Sequence, residues 1–490
     1  MSQFTGLWRQ SDFLRLWAAH TVTQLGTQVS FVAIPLAAVV ALDASAAQMG
    51  VLTAIGSIPA LVLGLFAGVW VDRLRRRPIL ILADVGRGVV LATIPLAALF
   101  GVLGIWHLYV ALLLVGAMTL FFDVAFRSYL PSLVRRGLLV DGNSKLEMSR
   151  SAAEIVGPGL AGGLVQVFTA PLAILFDALS FLLSAAFLAR IRSAERTPEF
   201  RKNQEEGSAT EEQGRILREI RDGLRTLVGN PTVRSLVFCT GTLTFFNAVI
   251  EAVLVLYLVN TLGLSAATIG MIFSVGGFGF LVGAVMAGWI TRYVPFGAVL
   301  VGGPLLIGVA DLLIPLARGP AVLAVGLPCA AQFLFGLGLP LYRVNEVSLR
   351  QMIVPERFLG RVNSGEYFVR EGLVPIGALL GGLLGEVIGL RPTLVIGALG
   401  EIGALLWVLI SPRDRYKDIR IAHPSDRDAL SFIAAPYHSV RSAWSRTGPS
   451  PGWEPGDPGG GLARRDPAWA PRWPRGRERR ARSRRRRRQR

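Results

Sequence analysis

Among the carboxyl groups inside apolar stretches of this chain, three are candidates for proton or substrate chemistry: Glu251, Glu154 and Asp311. An acid in hydrocarbon is costly and defaults to function, because it persists only where it meets a cation, a partner or an exchangeable proton. Glu251 is the best placed. It lies about 17 residues into its stretch, with Asn247 one helical turn below. A desolvated acid there is a candidate to carry a coupling proton or to recognise a cation. Its position also fits an acid that reaches the far interface. The corresponding stretch near the N-terminus carries Gln24, Thr27 and Gln28. Two acid–base pairs, Asp84 with Arg87 and Asp123 with Arg127, have the one-turn spacing of helical ion pairs. Arg150 and Arg370 sit near the ends of two further stretches, Arg370 followed by Glu371.

Covalent chemistry finds no support. Four histidines and two cysteines show no metal-ligand spacing, and a Gly-x-x-x-x-Gly-Lys phosphate loop and a nucleophile-elbow serine are missing. Neither an enzyme nor direct use of ATP is expected, and no cofactor or metal. Gly276-Gly277-Phe278-Gly279 lies within an apolar stretch and reads as a helix face. Cys239 and Cys329 read as small buried hydrophobes.

The elements that position these residues are membrane-spanning helices. Half the residues are hydrophobic, charge is 17% and mean hydropathy is +0.50, too apolar for a soluble chain of 490 residues. At roughly 20 residues per crossing, the hydropathy predicts twelve spans: 14–41, 50–71, 79–100, 106–126, 146–168, 171–190, 234–259, 267–291, 297–317, 321–342, 364–388 and 392–411. The first apolar run is too long for a cleaved signal and is expected to remain as a span. The chain therefore divides into a six-helix bundle at 1–190, a linker at 191–232, a second bundle at 233–411 and a basic tail at 412–490. Within the linker, Arg215 to Val228 has the periodicity of an amphipathic helix lying on the membrane, or of a plain spacer. The Pro-, Gly- and Arg-rich tail has no means to bury a core.

The net charge of +18 does not point to nucleic acid. Of 51 Lys and Arg residues, 21 follow Ser411, leaving 30 basic against 25 acidic residues. Basic residues collect in alternate loops: Arg73 to Arg77, Arg135 and Arg136, the linker, Arg292, and Arg343 to Arg361. The other loops hold Arg318 and Arg391. The positive-inside rule then places both termini in the cytoplasm. The arginine-rich composition suits the plasma membrane of a bacterium. Lipid is the expected surrounding and a monomer the expected state.

The two halves also echo each other at an offset of 220 residues. Arg150 answers to Arg370, Gly157 and Gly162 to Gly377 and Gly382, and Leu133 to Ser144 aligns without gaps with Ile353 to Ser364. Two halves running in the same direction are the mark of a parallel-repeat transporter.

The loop Gly68-x-x-x-Asp72-Arg73-x-x-Arg76-Arg77 resembles the signature between helices 2 and 3 of the major facilitator superfamily. Arg75 stands where the usual glycine would be. The chain is similar to the branch holding enterobactin-exporter-like and macrolide-efflux-like proteins, at Ser11 to Trp17, Leu130 to Val134, Asp177 to Phe181 and Val354 to Asn363. Physically, Gly68 removes a side chain where helices approach and Asp72 sits in a nest of arginines. The resemblance implies an all-α membrane fold and a gate in which Asp72 and Arg73 latch the halves on the cytoplasmic side. Asp84, Arg87, Asp123, Arg127, Arg150 and Arg370 are expected in the same gating network. Gly157, Pro158, Gly162 and Gly163 look like the glycine–proline signature of exporters, and close packing alone would also explain them.

In that family helices 1, 4, 7 and 10 line the cavity. The resemblance then implies a lining of Gln24, Gln28, Phe121, Phe122, Asn247, Glu251, Gln332 and Tyr342, mostly apolar and aromatic. Such a lining suits bulky amphiphiles, cationic ones above all, and suits sugars poorly. The leading expectation is a proton-coupled exporter of drug-like or natural-product amphiphiles, driven by the proton motive force. A siderophore or metabolite transporter, or a scaffold that has lost transport, are the alternatives.

Overall fold

The computed structural model describes residues 7–192, 231–291, 293–354 and 356–410. Side chains at 65, 66, 68, 69, 72, 73, 136, 356 and 357 are outside that description. The expected amphipathic stretch Arg215 to Val228, Arg292, the basic tail, and the side chains of Asp72 and Arg73 therefore lie outside the described residues.

The described chain is helical throughout. In order come α1 (Ser11–Leu36), α2 (Ala46–Arg73), α3 (Arg76–Leu99), α4 (Ile105–Leu133), α5 (Leu139–Phe168) and α6 (Ala170–Ala189). Then come α7 (Pro231–Leu256), α8 (Ala266–Ile290), α9 (Phe296–Leu312), α10 (Ala321–Ile353), α11 (Glu356–Val387), α12 (Leu390–Gly403) and α13 (Leu405–Ile410), which continues the α12 span. Eleven described helical stretches are long and apolar enough to cross a membrane. The twelfth, α9, has 17 residues and continues as turns to Ala317. Helices this apolar on every side belong in lipid. Leu82, Val89, Val110, Val285 and Val387 face outward, and Trp70, Trp289 and Tyr293 crowd the arginine-rich end, where amphipathic rings favour the headgroup region.

Four helices overrun the hydropathy limits. α4 extends to Leu133 and α10 to Ile353, whereas α5 starts at Leu139 and α11 at Glu356. Hydropathy ends where charge begins, but the helix does not. Asp141 with Lys145, Glu147 with Arg150 and Glu346 with Arg350 are pairs along one helix, which sustain helical turns beyond the apolar core.

The 220-residue offset governs the backbone itself. Both α1 and α7 end in a π turn, at Ala37–Ala41 and Tyr257–Thr261. Ser45 caps α2 and Ser265 caps α8, each accepting from the amide three residues on. Asp43 and Gly263 share a positive φ (47° and 64°), as do Thr169 and Gly389 (93° and 91°). α1 packs on α5 and α6, and α3 on α4 and α6, while α7 packs on α11 and α12, and α9 on α10 and α12. The halves meet along two seams, α2 against α11 and α5 against α8.

Candidate functional site

Both seams are tightest at the end opposite the arginine-rich turns, and they are tight because side chains are missing. A Cβ added at Gly50 of α2 would lie 2.6 Å from the carbonyl oxygen of Ala378 and 2.8 Å from Cα of Gly382 on α11. On the other seam, a Cβ at Gly162 of α5 would lie 2.5 Å from the carbonyl oxygen of Ala266 and 2.9 Å from Cα of Gly270 on α8. Gly50 and Gly270, and Gly162 and Gly382, are offset partners, so the seams are one contact used twice. Ser274 Oγ accepts from the amide of Gly159 at 2.8 Å, and Glu386 Oε2 accepts from the amide of Ala47 at 3.3 Å across the first seam. The carboxylate of Glu386 thus meets the positive end of α2.

Gly157 and Pro158 belong to this closure. Gly157 receives the Gln28 side chain of α1, and the Pro158 carbonyl abuts Gly270. Gly163 has nothing near its Cβ position. Pro158 and Gly162 therefore fit the bare backbone of α8, while Gly157 makes room for the Gln28 side chain of α1.

Away from the seal the halves enclose a space. Glu251 is accessible yet surrounded by protein, which puts it on the wall of an internal opening. Asp123 has the same character and lies in electrostatic range of Arg87, Arg127 and Arg150. Phe31, the offset partner of Glu251, is 48% exposed and meets Phe273 of α8 edge-on at 5.8 Å. Gln24 and Gln28 are half-buried. A cavity of about 270 Å³ opens between α2 and α11, lined by Leu61, Gly64, Tyr367, Phe368 and Glu371 among others.

Several expected cavity residues point elsewhere. Phe121 stacks parallel on Trp70 of α2 at 5.9 Å. Phe122 is buried beneath the guanidinium of Arg87, 4.3 Å from its ring centre. Gln332 packs against Gly276 of α8, and Tyr342 is buried, sharing a hydrogen bond of 2.8 Å with Thr240. Membership of α4 or α10 does not decide which face a residue occupies.

The charges expected to gate divide into local clusters. Arg87 pairs with Asp84 inside the first half, Ser184 of α6 donates to Asp84 at 2.6 Å, and Phe181 stacks on Arg87 at 4.2 Å. Arg87 is 4% exposed and Asp84 fully buried, so they staple α3 to α6. Arg77 donates to the carbonyls of Leu188 and Ala189 at 3.2 and 2.6 Å, capping α6. Arg15 donates to the Arg190 carbonyl at 2.6 Å and pairs with Asp12 at 2.8 Å. Arg76 opens α3. Arg150 pairs within α5 with Glu147 (3.1 Å) and Glu154 (3.6 Å). Arg370 pairs within α11 with Glu371 (2.8 Å) and Glu366 (3.8 Å).

The sequence reading missed Glu366, which gathers Arg343 (3.3 Å) and Arg350 (3.4 Å) besides Arg370. The four-residue spacing of Glu346 and Arg350 was the available signal. It also missed His20, which stacks on Phe126 at 4.9 Å. Asp311 is 3% exposed and meets the carboxyl of Glu401, fully buried on α12, rather than the internal opening. Asn247 faces Glu401.

A parallel-repeat helical membrane protein, sealed at one end and with an acid on the wall of its internal opening, is built as a transporter. A model of the Major Facilitator Superfamily matches residues 16–365, and the chain belongs to that family of transporters. It is 26% identical over 419 residues to the multidrug efflux pump Tap of Mycolicibacterium fortuitum, covering 83% of this chain and 97% of Tap. It is 25% identical over 383 residues to the MFS-type transporter YfiS of Bacillus subtilis, covering 78% and 88%. With macrolide efflux protein A of Streptococcus pyogenes it shares 23% identity over 388 residues, covering 77% and 90%. Among solved structures, a bacterial homologue of the iron transporter ferroportin in an inward-facing state superposes with a TM-score of 0.64 at 20% identity, covering 81% and 98%.

Proposed function

We propose that this transporter is a proton-coupled exporter of bulky amphiphilic cations, working by alternating access in a bacterial plasma membrane. The carrying observation is Glu251, an acid on the wall of the internal opening, below an end sealed by paired glycine seams. The positive-inside rule assigns the arginine-rich end to the cytoplasm, so the sealed end faces outward and the opening faces inward. Phe31 and Phe273 supply apolar contact, and Glu251 supplies the charge that attracts a cation or yields a proton. Efflux proteins among the relatives support the outward direction. The proton motive force is the energy source, and charge clusters at the arginine-rich end rearrange as the halves rock.

The test uses inverted vesicles with an acidified interior. Macrolides, cationic dyes and siderophores are added in turn while interior pH is followed. Proton release on addition of a cationic amphiphile, lost in Glu251→Gln, is the expected result. Release equal in both proteins removes Glu251 from the coupling step. A response confined to siderophores, or none to any compound, overturns the substrate class.

A further inference from the structure

Asp311 and Glu401 form the least compensated polar contact among the described residues. Their carboxyl groups meet between α9 and α12, and they are 3% and 0% exposed. Among the described residues, neither carboxyl oxygen of Glu401 nor Oδ2 of Asp311 has a hydrogen bond of ordinary geometry, and the one donor in range of Glu401 is the amide of Asn247. The groups that act on the pair are each other and Asn247 from α7. α10, which also packs on α9, carries Arg343, Glu346 and Arg350, but these pair with one another and with Glu366 at the arginine-rich end. No cation among the described residues therefore neutralises the pair.

Two carboxylates in contact within hydrocarbon do not both stay ionised. The missing donor is supplied most simply by a proton held between them, with one acid donating to the other. Asn247 stands between this pair and the internal opening, since it faces Glu401 and precedes Glu251 by one turn of α7. Gly397 and Gly400 bring α12 directly onto Ile250 and Phe246 of the same helix. Movement of α7 against α12 as the halves rock therefore reaches both acids through one contact.

We propose that Asp311 and Glu401 form a proton-carrying site separate from Glu251, exchanging its proton with water in the internal opening past Asn247. The inference rests on the proton-coupled reading of transport. It divides the labour: Glu251 meets the substrate and the buried pair holds the proton. Release leaves two facing carboxylates and one hydronium ion in the opening, and the site recovers its proton from water when the opening faces the acidic side. Asp311 and Glu401 have Leu91 and Phe181 as offset partners in the first half, so this site exists once per chain.

The experiment combines infrared spectroscopy with the vesicle assay, using the full chain in liposomes. At neutral pH the wild type is expected to show the carbonyl band of a protonated carboxyl group. The double variant should lose that band, and Asp311→Asn and Glu401→Gln should each shift it, because the remaining buried acid keeps its proton without an acidic partner. Both should also lose proton release on addition of ethidium while still binding the dye, whereas Glu251→Gln should keep the band and lose dye binding. Binding by the two pair variants establishes that they are folded. Absence of the band in the wild type overturns the inference. So does full proton release in both pair variants, which leaves the proton-coupled reading standing. If the wild type releases no protons with ethidium or any compound of the panel, the proton-coupled reading falls and this inference falls with it.

Discussion

The first six helices and the last six share a backbone down to its irregularities, yet their buried charges do not follow the repeat. π turns, serine caps and positive-φ junctions recur at the 220-residue offset. In the first half, Asp84 is buried with Ser184 and with Arg87, which two aromatic rings flank. Its offset partners in the second half are Pro304 and Ile307. There, Asp311 and Glu401 are buried with no cation beside them among the described residues. Backbone geometry is retained because both halves must close on the same seams. Side-chain charge is free to specialise, so each half has its own buried arginine–carboxylate pair and the second half adds the acid pair proposed to carry a proton.

Seven substitutions, in four tests, break or sharpen this contrast. The largest effect is expected at Arg87. Arg87→Met leaves Asp84 buried and unpaired, a change that costs about 3–5 kcal/mol, and thermal unfolding in detergent should show it. Asp311→Asn leaves no charge stranded and should move the melting temperature far less. Equal losses at the two sites would erase the difference between the halves.

Next come the seams. Gly270→Val drives a side chain into the Pro158 carbonyl, and Gly50→Val drives one into that of Ala378. Overpacking of this kind costs about 1–3 kcal/mol. It should shift the population toward opening at the sealed end, read as faster maleimide labelling of a cysteine placed at Phe31. The two variants should behave alike. A large inequality would show that the seams are not equivalent.

Arg77→Ala removes two hydrogen bonds to the end of α6 and should cost about 1–2 kcal/mol in the same melting assay. The smallest effect belongs to the junctions. Thr169 holds a φ of 93°, where Gly389 holds 91° in the other half, and a branched residue is strained there. Thr169→Gly should gain about 1 kcal/mol, and Gly389→Thr should lose at least as much.

The twelve helices, their order and the repeat were legible in the sequence because hydrocarbon imposes a length and a composition on every crossing. The overrun of α4, α5, α10 and α11 was not, since charged turns fall silent in hydropathy while remaining good helix. Facing was the larger gap. Phe121 and Phe122 are adjacent, yet one lies on Trp70 and the other beneath Arg87. The contact of Glu401 with Asp311 carries no sequence signal either, since it is set by the rotation of α9 and α12 about their axes. Glycine was the most informative residue type. Gly157 and Gly162 were visible as a motif with an echo, and the structure supplies the surfaces they fit.

Those bare seams have a thermodynamic consequence. Glycine has no rotamers to freeze, so bringing Gly50 onto Gly382 and Gly162 onto Gly270 costs no side-chain entropy at the points of contact. Closure there adds little temperature dependence of its own to the balance between conformations. Warming or cooling the membrane should change how fast the halves move more than where they come to rest.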